Sequence, residues 1–187
     1  MVQEEPIQTE PVQQKPPQTK GAVLHNVKRT VGGKRSNGPA KFENENEVKV
    51  LISKVLNNES YSGWILCGYQ DDNCTLEIQA HGEGGVDEFV QLLKDDQWQY
   101  VLVRTTDMSK NIKMMGETKL TTRDVFITWQ GPSVSILQRG RFNEHRNIIK
   151  KVLQPSHAEL YAFGKKNFTA KEVADKSAPL SGSHEIH

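Results

Sequence analysis

Sustained hydrophobic periodicity begins at Val48. From there Val48, Leu51, Ile52, Val55 and Leu56 follow helical i, i+3, i+4, i+7, i+8 spacing, and Asn57-Asn58 ends the run. The apolar stretch Gly63 to Tyr69 (GWILCGY) predicts a buried strand, with Asp71-Asp72-Asn73 as the turn after it. Thr75 to Ala80 alternates, which places Leu76, Ile78 and Ala80 on one side of a second strand. Gly82-Glu83-Gly84-Gly85 then leads into a short helix burying Val86, Phe89, Val90 and Leu93. Gln99 to Thr105 and Asp124 to Trp129 predict two more strands. Residues 107–122 between them are polar and Met-containing, and predict a long excursion from the sheet. A longer helix is expected from Ser133 to Leu153, bracketed by Pro132 and Pro155. A late strand, His157 to Phe163, and a last helix, Thr169 to Lys176 with Thr169 as N-cap, complete the pattern. Two hairpins separated by helices make an α/β (α+β) sandwich, a mixed sheet with helices on both faces.

Before residue 45 only isolated apolar residues occur, and five of the eight prolines lie in the first 39 positions. Such a segment cannot bury enough surface to offset its conformational entropy. The division expected is a flexible tail over 1–44, a folded domain over 45–180 and a flexible end over 181–187. The low mean hydropathy of -0.64 and the 35% apolar content agree with a chain that is only partly folded. Charge is uneven within the tail. Glu4, Glu5 and Glu10 come first, followed by Lys15, Lys20, Lys28, Arg29, Lys34, Arg35 and Lys41 with no acid between them. A basic arm of this kind suits a polyanion, and it equally suits a solvated linker.

Composition narrows the function further. The net charge of +1 supplies no global field for nucleic acid, so that partner is not expected. No apolar run approaches the roughly 18 residues of a membrane span. The opening MVQEEPIQTE lacks the basic start and apolar core of a secretion signal. Cys67 and Cys74 fit a reduced cytoplasmic chain better than a disulfide framework. No catalytic residues, metal ligands or cofactor motif emerge. The GEGG turn has no Lys-Ser/Thr after it, the six histidines show no ligand spacing, and no GxSxG is present. An enzyme is not expected.

Trp64 to Arg104 (WILCGYQDDNCTLEIQAHGEGGVDEFVQLLKDDQWQYVLVR) resembles the actin-depolymerising-factor homology domain, which has a gelsolin-like fold, in its drebrin branch. Val125 to Arg139 (VFITWQGPSVSILQR) looks like coactosin, and EVADKSAP is similar to the last helix of both groups. The resemblance covers roughly residues 46–180. It implies a central mixed sheet of about five strands flanked by helices, a cytoskeletal location, and binding to actin with filaments favoured over monomers. It also implies that the long helix begins in actin contact, with Arg139 in its first turns, Arg141 close by, and Arg123 at a basic position where coactosins meet filaments.

The residues weigh this as follows. Arg139, Asn143, Arg146 and Lys150 form one stripe, opposite Val134, Leu137, Ile148, Ile149 and Val152. Cations without an intervening acid suit an acidic partner, although any surface helix needs a polar face. Arg123 before its strand also serves to discourage edge-to-edge pairing. Lys110, Lys113 and Lys119 in the excursion extend the patch. Trp64, Phe89, Val103 and Trp129 are expected in the core.

Two departures stand out. The segment from Met108 to Trp129 is roughly ten residues longer than in coactosin. The tail precedes the first helix and lacks the phosphorylatable serine of the depolymerising members, which argues against severing. Two other uses remain open. One is a subunit of another cytoskeletal assembly built on the same fold, as in glia maturation factor on an actin-related complex. The other is nucleic-acid or lipid binding through residues 15–41.

Overall fold

In the computed structural model, residues 21–25, 38–114, 117–179 and 181–187 are described, with the backbone alone for 107–114 and 117–121. The tail cations Lys15, Lys20, Lys28, Arg29, Lys34 and Arg35 lie outside the described residues.

The first helix, α1 (Glu45–Leu56), forms where the periodicity predicts it. Asn44 caps it by accepting from Glu47 N at 3.2 Å, and Val48, Leu51, Ile52 and Val55 are buried. The strands β3 (Gly63–Tyr69) and β4 (Thr75–Gly82) follow, then the short helix α2 (Val86–Val90). The long helix α3 (Ile136–Val152), the strand β7 (Ala158–Ala162) and the helix α4 (Ala170–Lys176) complete the predicted set.

Three features depart from the sequence reading. The excursion over 107–122 is instead a hairpin. β5 (Trp98–Met114) and β6 (Glu117–Gln130) pair from Trp98↔Gln130 outward to Met114↔Glu117, with a register irregularity between Asp107 and Ile112. Polar, Thr-rich strands carry no apolar alternation when they project beyond the core, so periodicity does not reveal them.

Second, Ala80 does not share a face with Leu76 and Ile78. Gln79 is an extra residue in β4, since Cys67 pairs with Ile78 while Leu66 pairs with Ala80. The bulge flips the side chains beyond it. Gln79 turns inward and bonds Gln97 and Gln99 at 3.1 and 2.6 Å. Gly68 makes room, because a Cβ there would lie 2.2 Å from Gln79 Nε2.

Third, the sheet exceeds five strands. β1 (Val23–Leu24) and β2 (Lys41–Phe42) both pair with the outer edge of β4, and β8 (Glu185–Ile186) pairs with β7. The eight strands run β1-β4-β3-β5-β6-β7-β8, with β2 beside β4. The β2–β4, β6–β7 and β7–β8 pairs are parallel and the others antiparallel, so the sheet is mixed. Segments of two residues are too short to register as a pattern.

The sheet separates two cores. On one side α1 and α3 cover Ile65, Cys67, Leu76, Tyr100, Leu102 and Phe126. On the other, α2 and α4 cover Trp64, Leu66, Val103, Val125, Ile127 and Trp129. Trp64, Phe89, Val103 and Trp129 are fully buried. Each such side chain contributes roughly 1.5–3 kcal/mol of transfer free energy.

Candidate functional site

The turn that launches α3 is clamped to the segment after α2. Gly131 N–H donates to Gln97 O at 3.0 Å, Ser133 N–H to Asp95 O at 2.8 Å, and Trp129 Nε1 to Lys94 O at 2.8 Å. Only glycine fits at 131, where a Cβ would stand 2.4 Å from Asp95 O. Pro132 therefore lies in this turn, and α3 starts at Ile136 rather than Ser133. Ser135 and Gln138 close a capping box, each side chain satisfying the other's backbone N–H.

The buried face of α3 is Phe142, His145 and Ile149, continued by Val134 and Leu153. This differs from the face the sequence suggests. Leu137 and Ile148 are 90% and 41% exposed, and Ile136, beside Leu137 in the first turn, is 83% exposed. The outward crown of the helix thus carries Ile136, Leu137, Gly140, Asn143, Glu144, Asn147 and Ile148. The helix runs unbroken through Gly140, whose surroundings are open.

The predicted cationic stripe lies on the flank between crown and core. Arg139 folds back on the launching turn, donating to Val134 O at 2.9 Å and Pro132 O at 3.1 Å. Arg146 bonds Thr128 Oγ1 at 3.2 Å and pairs with Glu159, its guanidinium 4.6 Å from the Tyr161 ring and 5.5 Å from that of Phe126. Lys150 pairs with the same Glu159. Burial pushes the Glu159 carboxyl up, but the hydrogen bonds from Lys150 and Arg146 outweigh it and leave the group below its ordinary pKa. Asn143 is exposed, at the lip of a hollow of about 360 Å³ shared with Arg139, Tyr161, Phe163 and Glu185.

Arg141 stands on the opposite flank, half-buried, donating to Cys74 Sγ at 3.0 Å. It joins a network in which Tyr69 Oη meets His145 Nδ1 at 3.1 Å and Tyr100 Oη donates to Phe142 O at 3.0 Å. Burial, then Arg141, lowers the His145 pKa, and burial raises those of both tyrosines. Burial also pushes the Cys67 thiol up to about 12. These groups fix α3 on the sheet.

Arg123 does not precede a strand. It sits within β6 opposite Thr105, two residues before β7 pairing begins at Val125, and donates to Ser177 O at 3.1 Å. It borders a groove of about 830 Å³ also lined by Arg146, His157, Glu159, Ser177 and His184. Lys110 and Lys113 fall on β5 and Lys119 on β6, in the projecting hairpin. The structure thus brings Arg123 and Arg146 to one groove at the sheet end, where Lys150 pairs with the lining Glu159, and Arg139 and Asn143 to the start of α3. Arg141 is separated from them.

Sequence reasoning missed two features. The crown pair Ile136-Leu137 was legible only as part of an apolar run. At the root of the hairpin, the buried Asp124 receives Arg104 Nε and Nη2 at 2.7 and 2.9 Å, while His157 Nδ1 accepts from Asp124 N–H at 3.0 Å. Residues 20 and 33 positions apart give no local signal. Among the described residues no group of three or more His, Cys, Asp or Glu converges as metal ligands would, and no helix is long and apolar enough to cross a membrane.

The mixed sheet with α1 and α3 on one face and α2 and α4 on the other is the fold this chain shares with solved coactosin and cofilin structures. Residues 41–178 match the family described as cofilin/tropomyosin-type actin-binding protein, and the chain belongs to that family. The drebrin-like protein of Mus musculus is 23% identical over 148 residues, a match spanning 79% of this chain and 30% of that protein's length. Coactosin of Entamoeba histolytica is 25% identical over 142 residues, covering 73% of this chain and 89% of coactosin. Its crystal structure superposes with a TM-score of 0.60 over 74% of this chain and 94% of that one, at 21% identity. The solution structure of mouse coactosin, described as an actin filament binding protein, gives 0.55 over 72% and 87%, also at 21% identity.

Proposed function

We propose that this chain is a non-catalytic, coactosin-like protein that binds actin filaments in preference to monomers, in the cytoplasm. The observation that carries this is the exposed Ile136-Leu137 pair at the capped start of α3, within the stretch Val125 to Arg139 that resembles coactosin. Two large apolar side chains left in water at a rigid helix end are a ready docking patch. Arg139 and Asn143 border the patch and supply its polar rim. Arg123 and the hairpin lysines Lys110, Lys113 and Lys119 form a second contact that steers the encounter with an acidic surface. Arg146 and Lys150, both paired with Glu159, and Arg141, bonded to Cys74 on the opposite flank, contribute mainly by holding α3.

Mouse coactosin's description as a filament-binding protein, and the family's actin binding, support this reading. Co-sedimentation of the full chain with actin filaments, at low and physiological salt, tests it. Retention at physiological salt that drops at least tenfold in Ile136→Ala/Leu137→Ala is expected. A folded wild-type chain that stays in the supernatant would overturn the proposal and move the fold to another cytoskeletal assembly.

A further inference from the structure

Residues 21–25 lie along the outer edge of β4, with Val23 opposite His81 and Leu24 opposite Ala80. The His25 N–H donates to Gln79 O, the carbonyl at the bulge, at 2.9 Å. The hold is thin: two residue pairs form it, and Val23 and Leu24 are 49% and 67% exposed. At the end of this segment the imidazoles of His25 and His81 lie with centroids 5.4 Å apart, tilted by 58°. His25 Nε2 is buried there with no hydrogen-bond partner.

The charged groups around the pair come from several elements. Lys54 and Glu47 act on His81 from α1. Glu83 borders the hollow of about 170 Å³ between β1 and α1, and Lys94 borders the hollow next to His25. Glu88 of α2 stands near Gly21, but its Oε2 already accepts from Trp64 Nε1 at 2.6 Å and Gly84 N at 3.1 Å. Among the described residues, no carboxylate of this group forms a hydrogen bond or ion pair with either imidazole.

We propose that residues 21–25 are an acid-released cover on the β4 edge: a neutral His81 beside His25 lets the strand lie down, and protonation of His81 lifts it. A positive charge on His81 beside the docked His25, with Lys54 acting on it from α1 and Lys94 bordering the hollow next to His25, opposes docking. A partnerless buried nitrogen gains water when the strand leaves. Burial, then His25, then Lys54 lower the His81 pKa, against Glu47. The sign follows: a folded-state pKa below 6.5 leaves docking intact above that value, and docking weakens as pH falls through the depressed one. Release bares the backbone groups of an edge strand, which sheet proteins otherwise keep covered.

Backbone amide exchange on the full chain by NMR, at pH 7.5 and at pH 5 and corrected for intrinsic rates, tests this. The His25 amide is expected to lose at least tenfold of its protection at pH 5 while amides of β3 and the paired part of β5 keep theirs. In His81→Gln the loss should disappear. Unchanged His25 protection in the wild-type chain at pH 5 would overturn the proposal without any variant. An equal loss in His81→Gln would overturn it too, because the cover would then open for a reason other than the pair. Should His81→Gln not fold, a disulfide in Leu24→Cys/Ala80→Cys takes its place. Protection of His25 at both pH values in the oxidised form is the supporting result, and the same loss with the strand tethered the opposing one.

Discussion

The flank and the crown of α3 make opposite use of the same helix. On the flank, Arg139, Arg146 and Lys150 look in sequence like a cationic surface, yet each is engaged: Arg139 with the launching turn, the other two with Glu159. On the crown, Leu137 looks in sequence like core and stands 90% exposed, with Ile136 beside it 83% exposed. The difference teaches that charge along a helix marks where it leaves the core, whereas a free contact surface is what the neighbouring strands leave uncovered. Here β6 and β7 reach the flank and nothing described covers the crown.

The strongest way to break this comparison is Arg146→Glu. It removes the pair with Glu159, the bond to Thr128 and the contact with Tyr161, and it sets two carboxylates together. A stability loss of about 3 kcal/mol is expected in denaturant unfolding, since one partner of a part-buried pair is left behind. An unchanged midpoint would make the flank a free surface after all. The converse is Ile136→Ala/Leu137→Ala, where unfolding should shift by no more than about 0.5 kcal/mol because neither side chain is buried. Filament retention should nevertheless fall about tenfold, equivalent to about 1.4 kcal/mol. Loss of stability without loss of retention would reverse the assignment.

Glu159→Gln sharpens the contrast through pH. The Glu159 pKa is depressed in the folded state, so its contribution is fully present above the ordinary value of 4.5 and fades as pH falls through the lower one. The variant should therefore be about 1 kcal/mol less stable than wild type at pH 7, a modest figure because the group is a third exposed. At pH 3 the gap should narrow, which thermal unfolding at the two pH values measures. The smallest effect is expected for Gly140→Ala. A helical glycine in open surroundings costs roughly 0.5–1 kcal/mol, so the variant should melt a few degrees higher. Retention on filaments reports whether the added methyl obstructs the crown.

Elements with strong periodicity were legible in sequence. α1, α2 and α4 and the buried parts of β3, β5 and β6 needed only local pattern, as did the Thr169 cap, which accepts from Glu172 N at 3.2 Å. The fold family was legible from ordered motifs such as GEGG and ITWQGP. The hairpin was not, because Thr and Lys outside a core impose no alternation. Of the candidate site, the location at the start of α3 was legible and the direction its side chains face was not. Leu137 and Ile148 are apolar at spacings that fit a buried face as well as an exposed one, and nothing local chooses between them.

By itself, then, the sequence determined which of the periodic, core-lining segments become helix or strand and that two apolar faces must be covered, because backbone preference and side-chain period are local properties. Only the tertiary structure decided the phase of α3. That phase depends on where Gly131 is pinned against Asp95 and on which carboxylate lies opposite Arg146. It also decided that Val23–Leu24 and Glu185–Ile186 become edge strands, since pairs so short are stabilised by the strand they meet rather than by their own residues.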